Sequence, residues 1–463
     1  MKINRKGQIW DGIFYYFSII FPVSVYFLYI CYVVPRRDVA IDTYFDDLFI
    51  FLKMVWLAGI FMVPVSFIAW IFLGSPLKRD EENLRNYKKH GWDPSKKLIV
   101  TYVSRGGNAQ ALSRSVSSSY KLLKRMKVTF FIEVVTDICV KDKIRCNSEE
   151  VYFFRVPDNY RTVLGAKYKA RALHYAVKKR KRIFNKKLEK ENTWIFHLDE
   201  ESVLTPQVIA GISKFIADSK NAKTIGQGEI KYNAYGYFKN IIIGAIDSVR
   251  TGDDLGRFRF QFKLLRMPLA GMHGSFMLVP AIVEQEIGFD LGGHGSITED
   301  AYFALIANDR GYKFGWVDGF IREQSPFTIK DLIKQRRRWF CGLAILAFDS
   351  SIAFKRRFYL ICSLILWKIS WIAIFVTITN FLIGGSYFPL SLIILSAIMT
   401  SGYYVAYMIG VYRNLIDMDF SRIKKVYIYL ITFVLVPISA FIEGIAVIYA
   451  IIRPVKVFDV VKK

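Results

Sequence analysis

Apolar residues follow two regimes along this chain. Five long runs, Ile13–Val34, Leu48–Leu73, Phe358–Ile383, Phe388–Val411 and Val426–Ile452, are each about the length that crosses a bilayer as a helix. Between the second and third of them the pattern changes to short β-prone runs separated by helical stretches. Lys97–Ser104, Thr129–Asp137, Glu150–Val156 and Trp194–Leu198 read as buried strands, with later ones expected near Thr224–Ile230 and Ser275–Val279. Asn108 is placed to cap a helix reaching about Met126, and Leu164–Leu188 reads as a long basic helix with a solvated or membrane-facing surface. Thr205-Pro206 opens a further helix, with Thr205 as N-cap and Pro206 at the first helical position. The order strand, helix, strand, strand, helix, strand predicts an α/β domain with crossover connections. Ser296 and Glu299 have capping-box spacing ahead of a helix that ends near Arg310, with Gly311 past its end. Thr328–Phe348 is amphipathic, and the polar stretch Gly74–Trp92 reads as a linker.

This pattern divides the chain into two N-terminal transmembrane helices (1–73), an α/β domain (74–326), an amphipathic interface helix (327–357) and C-terminal transmembrane helices (358–463). A composition that is 53% hydrophobic and 16% aromatic agrees with a multi-pass membrane protein. The net charge of +26 would suit nucleic acid, anionic lipid or an anionic substrate. The basic residues lie beside the apolar runs and no nucleic-acid motif occurs, which excludes a nucleic-acid role and favours lipid contact. Arg336, Arg337, Lys355, Arg356 and Arg357 are accordingly expected at lipid headgroups. Basic flanks at Met1–Trp10 and after Gly74, against the acidic loop Pro35–Asp47, put the N-terminus and the α/β domain in the cytoplasm. Five spans would leave the basic tail (Arg453, Lys456, Lys462, Lys463) outside, unless one late segment is re-entrant. Glu443, inside the last run, is a functional candidate or lines a wet groove. The five cysteines show no C-x-x-C pair and read as reduced.

The candidate chemistry lies in the central domain. Trp194–Leu198 ends abruptly in Asp199, Glu200 and Glu201, where a strand gives way to a loop, and ligands bind at that edge of open α/β sheets. Asp199 and Glu201 suit a hard divalent cation carrying a diphosphate. Asp137 ends another strand and is placed to accept from the ribose or base of a nucleotide. Asp300 follows the glycine-rich stretch Gly292–Asp300 at a helix start, a position for a general base toward an acceptor hydroxyl. Gln335, Arg338 and Trp339 share one face of the amphipathic helix; Arg338 suits a leaving diphosphate and Trp339 a sugar ring. Gly274, in Gly271–Ser275, either approaches the acceptor through its backbone or only makes a turn. His294 and His273, in glycine-rich loops, are further candidates, whereas His197 reads as a satisfied core histidine. Together these groups match sugar transfer from a nucleoside diphosphate sugar. No role for Asp253, Asp254 and Arg257 follows from the residues alone.

Four motifs, Asp137, D-E-E at 199–201, T-E-D at 298–300 and Q-R-R-R-W at 335–339, occur in an order that resembles the family 2 glycosyltransferases, which include cellulose, chitin and hyaluronan synthases. Over about residues 98–345, stretches such as I-E-V-V-T-D, H-L-D-E-E, D-D-L-G-R-F-R-F-Q-F-K-L and S-P-F-T-I-K-D-L-I-K-Q-R-R-R-W resemble the egghead-type β-1,4-mannosyltransferases. The resemblance implies a GT-A-like nucleotide-sugar-binding domain and inverting, metal-dependent transfer of mannose from GDP-mannose to a glucosylated lipid. In its terms Asp137 contacts the nucleoside, Asp199 and Glu201 hold Mn2+ or Mg2+ with the diphosphate, and Asp300 takes the acceptor proton. Gln335, Arg338 and Trp339 then serve the diphosphate and acceptor site, with Gly274 and His294 counted on that side as candidates from their glycine-rich loops. Glu201 departs from the family's usual second aspartate. Two other readings remain: a processive polysaccharide synthase, and a catalytically silent membrane protein that binds nucleotide sugar.

Overall fold

The structure, a computed structural model, describes residues 5–32, 48, 51–146, 148–184, 192–236, 239–292, 296–383 and 389–455. The acidic loop 35–47 and His294 lie outside the described residues.

Among the described residues, seven strands form one mixed sheet: β1 (Lys97–Ser104), β2 (Phe130–Thr136), β3 (Val151–Arg155), β4 (Thr193–Leu198), β5 (Ile225–Lys231), β6 (Met277–Pro280) and β7 (Phe314–Arg322). Their spatial order is β3-β2-β1-β4-β6-β5-β7. The first four strands are mutually parallel, and β6 runs antiparallel between β4 and β5, which is itself parallel to β7. The C-terminal ends of β1, β2, β4, β5 and β7 and the N-terminal end of β6 therefore share one edge. Asp137 after β2, Asp199 and Glu201 after β4, and Glu323 after β7 leave the sheet there. The interior of β1 and all of β4 are buried, as their unbroken apolar runs require.

Two features of the sheet were not foreseen. β7 carries Gly315, Asp318 and Gly319 inside F-G-W-V-D-G-F-I-R, which breaks its apolar run. The stretch read as a linker contains the helix Leu77–His90, whose buried positions include Asp80 and Asn83. The two explain each other: Asp80 Oδ1 accepts from the Gly319 amide (2.9 Å), and Asn83 Nδ2 donates to Asp318 Oδ2 (3.1 Å). The helix binds the strand through these polar groups, so the contact between them leaves no apolar signature in the sequence.

Among the described residues, four helices are long and apolar enough to cross a membrane, or up to five if a bent pair counts as one. The second segment, Phe51–Leu73, is not one regular helix. It divides into a 3-10 stretch (Met54–Phe61), an α-helix (Val63–Ile68) and π turns (Ala69–Leu73). The third run bends by 44° between Phe354–Ile369 and Ile372–Thr379.

The helix Ile241–Asp253 joins the two halves by lying against the spanning helix Leu390–Leu415. Ser248 and Gly252 face Ala406 and Gly410, small residues four apart on both helices. A Cβ on Gly252 would stand 1.8 Å from the Ala406 carbonyl oxygen, and one on Gly410 would stand 1.7 Å from that of Ser248. Gly252→Val should therefore lower stability by at least ~1–3 kcal/mol, the usual cost of overpacking. Gly12→Ala, where nothing lies within 4 Å of the new Cβ, is the control. Thermal unfolding in detergent reads the difference, and equal midpoints would contradict this contact.

Buried ion pairs join the halves as well. Arg336 donates to Asp247 Oδ1 (2.8 Å) and to Glu443 Oε1 (2.6 Å), and its side chain is 4% exposed. Arg336 thus does not reach lipid headgroups, and Glu443 has a partner within the protein. Arg337 Nε donates to the Arg453 carbonyl (2.8 Å), at the end of the last helix.

Candidate functional site

The loop after β4 turns back so that Val203 bridges to Arg322 at the end of β7. That bridge places the acids following β4 beside Glu323. Oxygens of Asp199, Glu201 and Glu323 lie within 4.8 Å of one another. Glu201 and Glu323 are buried, and Asp199 is half-buried. Three carboxylates converging at this distance fit a hard divalent cation, which prefers oxygen ligands. The third acid escaped the sequence reading because β7 did, although Glu323 obeys the same strand-end rule as Asp137 and Asp199.

Lys169, in the first turn of the helix Tyr168–Phe184, connects these acids to the next element. Its Nζ lies 2.7 Å from Asp199 Oδ1 and 3.5 Å from Glu299 Oε1. Burial disfavours the ammonium, but Asp199, Glu299 and Asp300 outweigh it and hold the Lys169 pKa above its ordinary value. Arg171, two residues on, donates to Asp137 Oδ1 at 2.7 Å. The long basic helix is thus not a solvated surface along this side. Deeper in the core, Arg180 joins Glu133 and Glu284, and Glu284 also holds His197 at 2.7 Å. Burial lowers the His197 pKa, so it is the core histidine expected. A sequence signal for Lys169 and Arg171 did exist. Cations at a helix N-terminus oppose the macrodipole, and a locally unfavourable choice often marks a site.

Asp300 approaches from the other side. Its helix, Glu299–Asp309, has Thr298 as N-cap with no side-chain cap bond. The expected capping box is absent: Ser296 Oγ instead donates to the Gly292 carbonyl and accepts from the Lys167 amide. Glu299 is consequently a site residue rather than a cap. Burial, partly countered by Lys169, pushes its pKa up to about 7. A Cβ on Gly274 would sit 2.9 Å from Asp300 Oδ2 and 3.0 Å from Lys169 Nζ. Gly274 thus leaves open the space between the acid and the ammonium, beyond simply making a turn.

The helix Ile329–Ala347, capped by Thr328, closes the site. It sits against the T-E-D corner, because a Cβ on Gly342 would meet the Thr298 side chain at 2.4 Å. Gln335, Arg338 and Trp339 line the same cavity as Asp137, Asp199, Glu201, Gly274 and Asp300. The Trp339 ring carries two guanidinium groups, Arg250 at 4.7 Å and Arg336 at 4.5 Å from its centroid. His273 also lines the cavity and is held by Asp254 at 2.7 Å, which gives the Asp253–Arg257 stretch a structural part. Asp254 additionally accepts from the Ile230 amide in β5.

The cavity measures about 1900 Å³, above the ~300–1,000 Å³ usual for ligand pockets. It is large because it continues past the interface helix to Trp56, Trp367, Thr377 and Tyr404, on the segments long enough to cross a membrane. A polar chamber with converging carboxylates and an apolar extension would accommodate a polar head joined to an apolar body.

Residues 194–411 match the model of the glycosyl transferase family group 2. The chain is 32% identical over 337 residues to the β-1,4-mannosyltransferase egh of Drosophila melanogaster, covering 72% of this chain and 70% of the fly protein. It is 40% identical over 238 residues to the β-1,4-mannosyltransferases bre-3 of Caenorhabditis briggsae and Caenorhabditis elegans, in each case spanning 51% of this chain and 50% of the relative. With this sheet edge, this order of acids and this extent of identity, the chain belongs to the family 2 glycosyltransferases of the egghead type.

Proposed function

We propose that this chain is an inverting β-1,4-mannosyltransferase that uses GDP-mannose as donor and a glucosylated lipid as acceptor, with its α/β domain (74–326) on the cytoplasmic face. The observation that carries the reading is the single cavity with Asp199, Glu201 and Glu323 on one side and Asp300 on the other. In this reading the acceptor hydroxyl gives its proton to the Asp300 carboxylate. Its oxygen attacks the anomeric carbon from the face opposite the diphosphate. The bond from that carbon to the phosphate oxygen breaks, and GDP leaves with the electron pair, so the anomeric configuration inverts. A Mn2+ or Mg2+ ion held by Asp199, Glu201 and Glu323 would neutralise the charge on the departing diphosphate. Lys169 and Arg338 supply further positive charge, Asp137 and Arg171 border the nucleoside, and Gln335 and Trp339 border the acceptor.

Asp199→Ala should lower metal-stimulated GDP release by about 10²–10³-fold, as expected for loss of charge stabilisation at the leaving group. GDP-mannose, UDP-glucose, UDP-N-acetylglucosamine and UDP-glucuronate, each with and without manganese or magnesium, form the assay. Undiminished metal-dependent turnover by the variant would remove the metal role, and preference for a UDP-sugar would remove the donor assignment. Product length tests the chain-extending alternative, since the proposed transfer adds one sugar.

A further inference from the structure

The segment from Gly271 to Phe276 is held more firmly than a turn requires. Gln227 of β5 is fully buried, and its Oε1 accepts from the His273 amide at 2.8 Å. Its Nε2 donates to the Ser275 and Phe276 carbonyls at 3.3 and 3.2 Å. Phe276 is kept at φ +56°, a left-handed conformation that a bulky residue holds only under such constraint. These bonds fix the backbone that carries His273. The His273 ring stacks on Phe258, with centroids 4.2 Å apart, and its Nε2 lies 2.7 Å from Asp254 Oδ1. Asp254 is wholly buried, and its other oxygen accepts from the Ile230 amide.

One ring nitrogen is left over. The His273 side chain is 24% exposed and lines the cavity. Its Nδ1 is neither buried nor hydrogen-bonded among the described residues, so it opens on that space. A carboxylate at Nε2 keeps the hydrogen on that nitrogen and leaves a lone pair at Nδ1. An atom that can only accept does not suit diphosphate oxygens, but it suits a hydroxyl. The neighbours indicate whose hydroxyl. A Cβ on Gly271 would stand 2.6 Å from that of Ala301, in the helix that carries Asp300, and Gly274 borders Asp300 itself. On the other flank, a Cβ on Gly256 would meet Ser66 and Trp70 of the second apolar segment at 2.8 and 2.9 Å. His273 therefore stands where the chamber holding Asp300 meets the apolar extension, on the far side of β4 from Asp137. We infer that His273 is an acceptor-binding residue whose Nδ1 accepts a hydrogen bond from a hydroxyl of the acceptor sugar, with Asp254 orienting the ring. This inference rests on the transferase reading of the site.

Glutamine and asparagine separate ligand contact from structural support. In His273→Gln the amide nitrogen reaches the Nε2 place, keeps a donor for Asp254 and leaves the Nδ1 place empty. In His273→Asn the shorter amide puts its oxygen near the Nδ1 place and abandons Asp254. The full chain, in a sugar-free detergent, is titrated calorimetrically with hexyl β-glucoside and each of its monodeoxy analogues. His273→Gln should bind the glucoside about two- to tenfold more weakly, the worth of one hydrogen bond, and His273→Asn should stay closer to the wild type. Thermal midpoints should rank the two variants in the opposite order, and both should bind GDP as the wild type does. The penalty of His273→Gln should vanish for the analogue lacking the hydroxyl that His273 holds. Wild-type glucoside affinity in His273→Gln overturns the inference. So does an affinity order that follows the midpoints, as a purely structural role would give, a penalty that persists for every analogue, or a wild type that binds no glucoside. Should His273→Asn fail to fold, His273→Gln and the analogues decide. GDP release from GDP-mannose is scored in parallel. Its absence overturns the transferase reading, while the binding data still decide on His273.

Discussion

Asp300→Asn is expected to lower mannosyl transfer by about 10²–10⁴-fold, the usual contribution of a positioned general base. Asparagine keeps the shape of the side chain in the first turn of its helix but cannot take the acceptor proton. Donor binding should survive, because the acids after β4 and the Lys169–Asp199 pair remain in place. Single-turnover transfer and GDP affinity, measured on the same preparation, separate the two effects. Glu299 is the neighbouring alternative, with a pKa raised by burial to about 7. Its ion pair to Lys169 makes it a positioning group, so Glu299→Gln should cost less than Asp300→Asn. Full transfer by Asp300→Asn, or the reverse ranking, would take the base role away from Asp300.

The second large effect concerns stability. Arg413→Met should destabilise the protein by about 3–5 kcal/mol, the cost of breaking a buried ion pair by removing one partner. Arg413 is wholly buried in the helix Leu390–Leu415 and meets Glu229 of β5 through two bonds, at 2.9 and 2.7 Å, with Asp80 at 3.6 Å. Removing the guanidinium strands both acids. The double variant Arg413→Met, Glu229→Met should recover part of the loss, since it replaces a charge pair with apolar contact. Thermal unfolding in one detergent compares the three proteins. An additive double variant would mean that the pair is not coupled.

Neither Arg413 nor Glu229 stands out in the sequence, and the reason applies widely here. β1 and β4 were legible because strands buried on both faces are apolar runs bounded by turn residues. Asp137, Asp199 and Asp300 were legible because each follows a local signal, either a strand end or a helix start. Glu323 and Lys169 depend on which elements become neighbours, and no spacing rule connects residue 169 to 199 or 201 to 323. Arg336 was assigned to lipid because it lies in a basic run beside apolar segments. Its actual partners, Asp247 and Glu443, lie 89 and 107 residues away along the chain. The helix Leu77–His90 stayed hidden for a related reason, since its hold on β7 is made by Asp80 and Asn83 rather than by an apolar stripe.

The Gly252–Ala406 and Ser248–Gly410 contacts, with the Arg336 and Arg413 ion pairs, bear on how this enzyme can be handled. Excising residues 74–326 as a soluble fragment would remove the helix that covers Ile241–Asp253, the guanidinium that neutralises Glu229 and the one that meets Asp247. The fragment would expose a close-fitting apolar strip, leave Glu229 without Arg413 and leave Asp247 with Arg250 but without Arg336. Such a strip favours self-association. Production for structural or screening work therefore calls for the whole chain in a lipid or detergent environment.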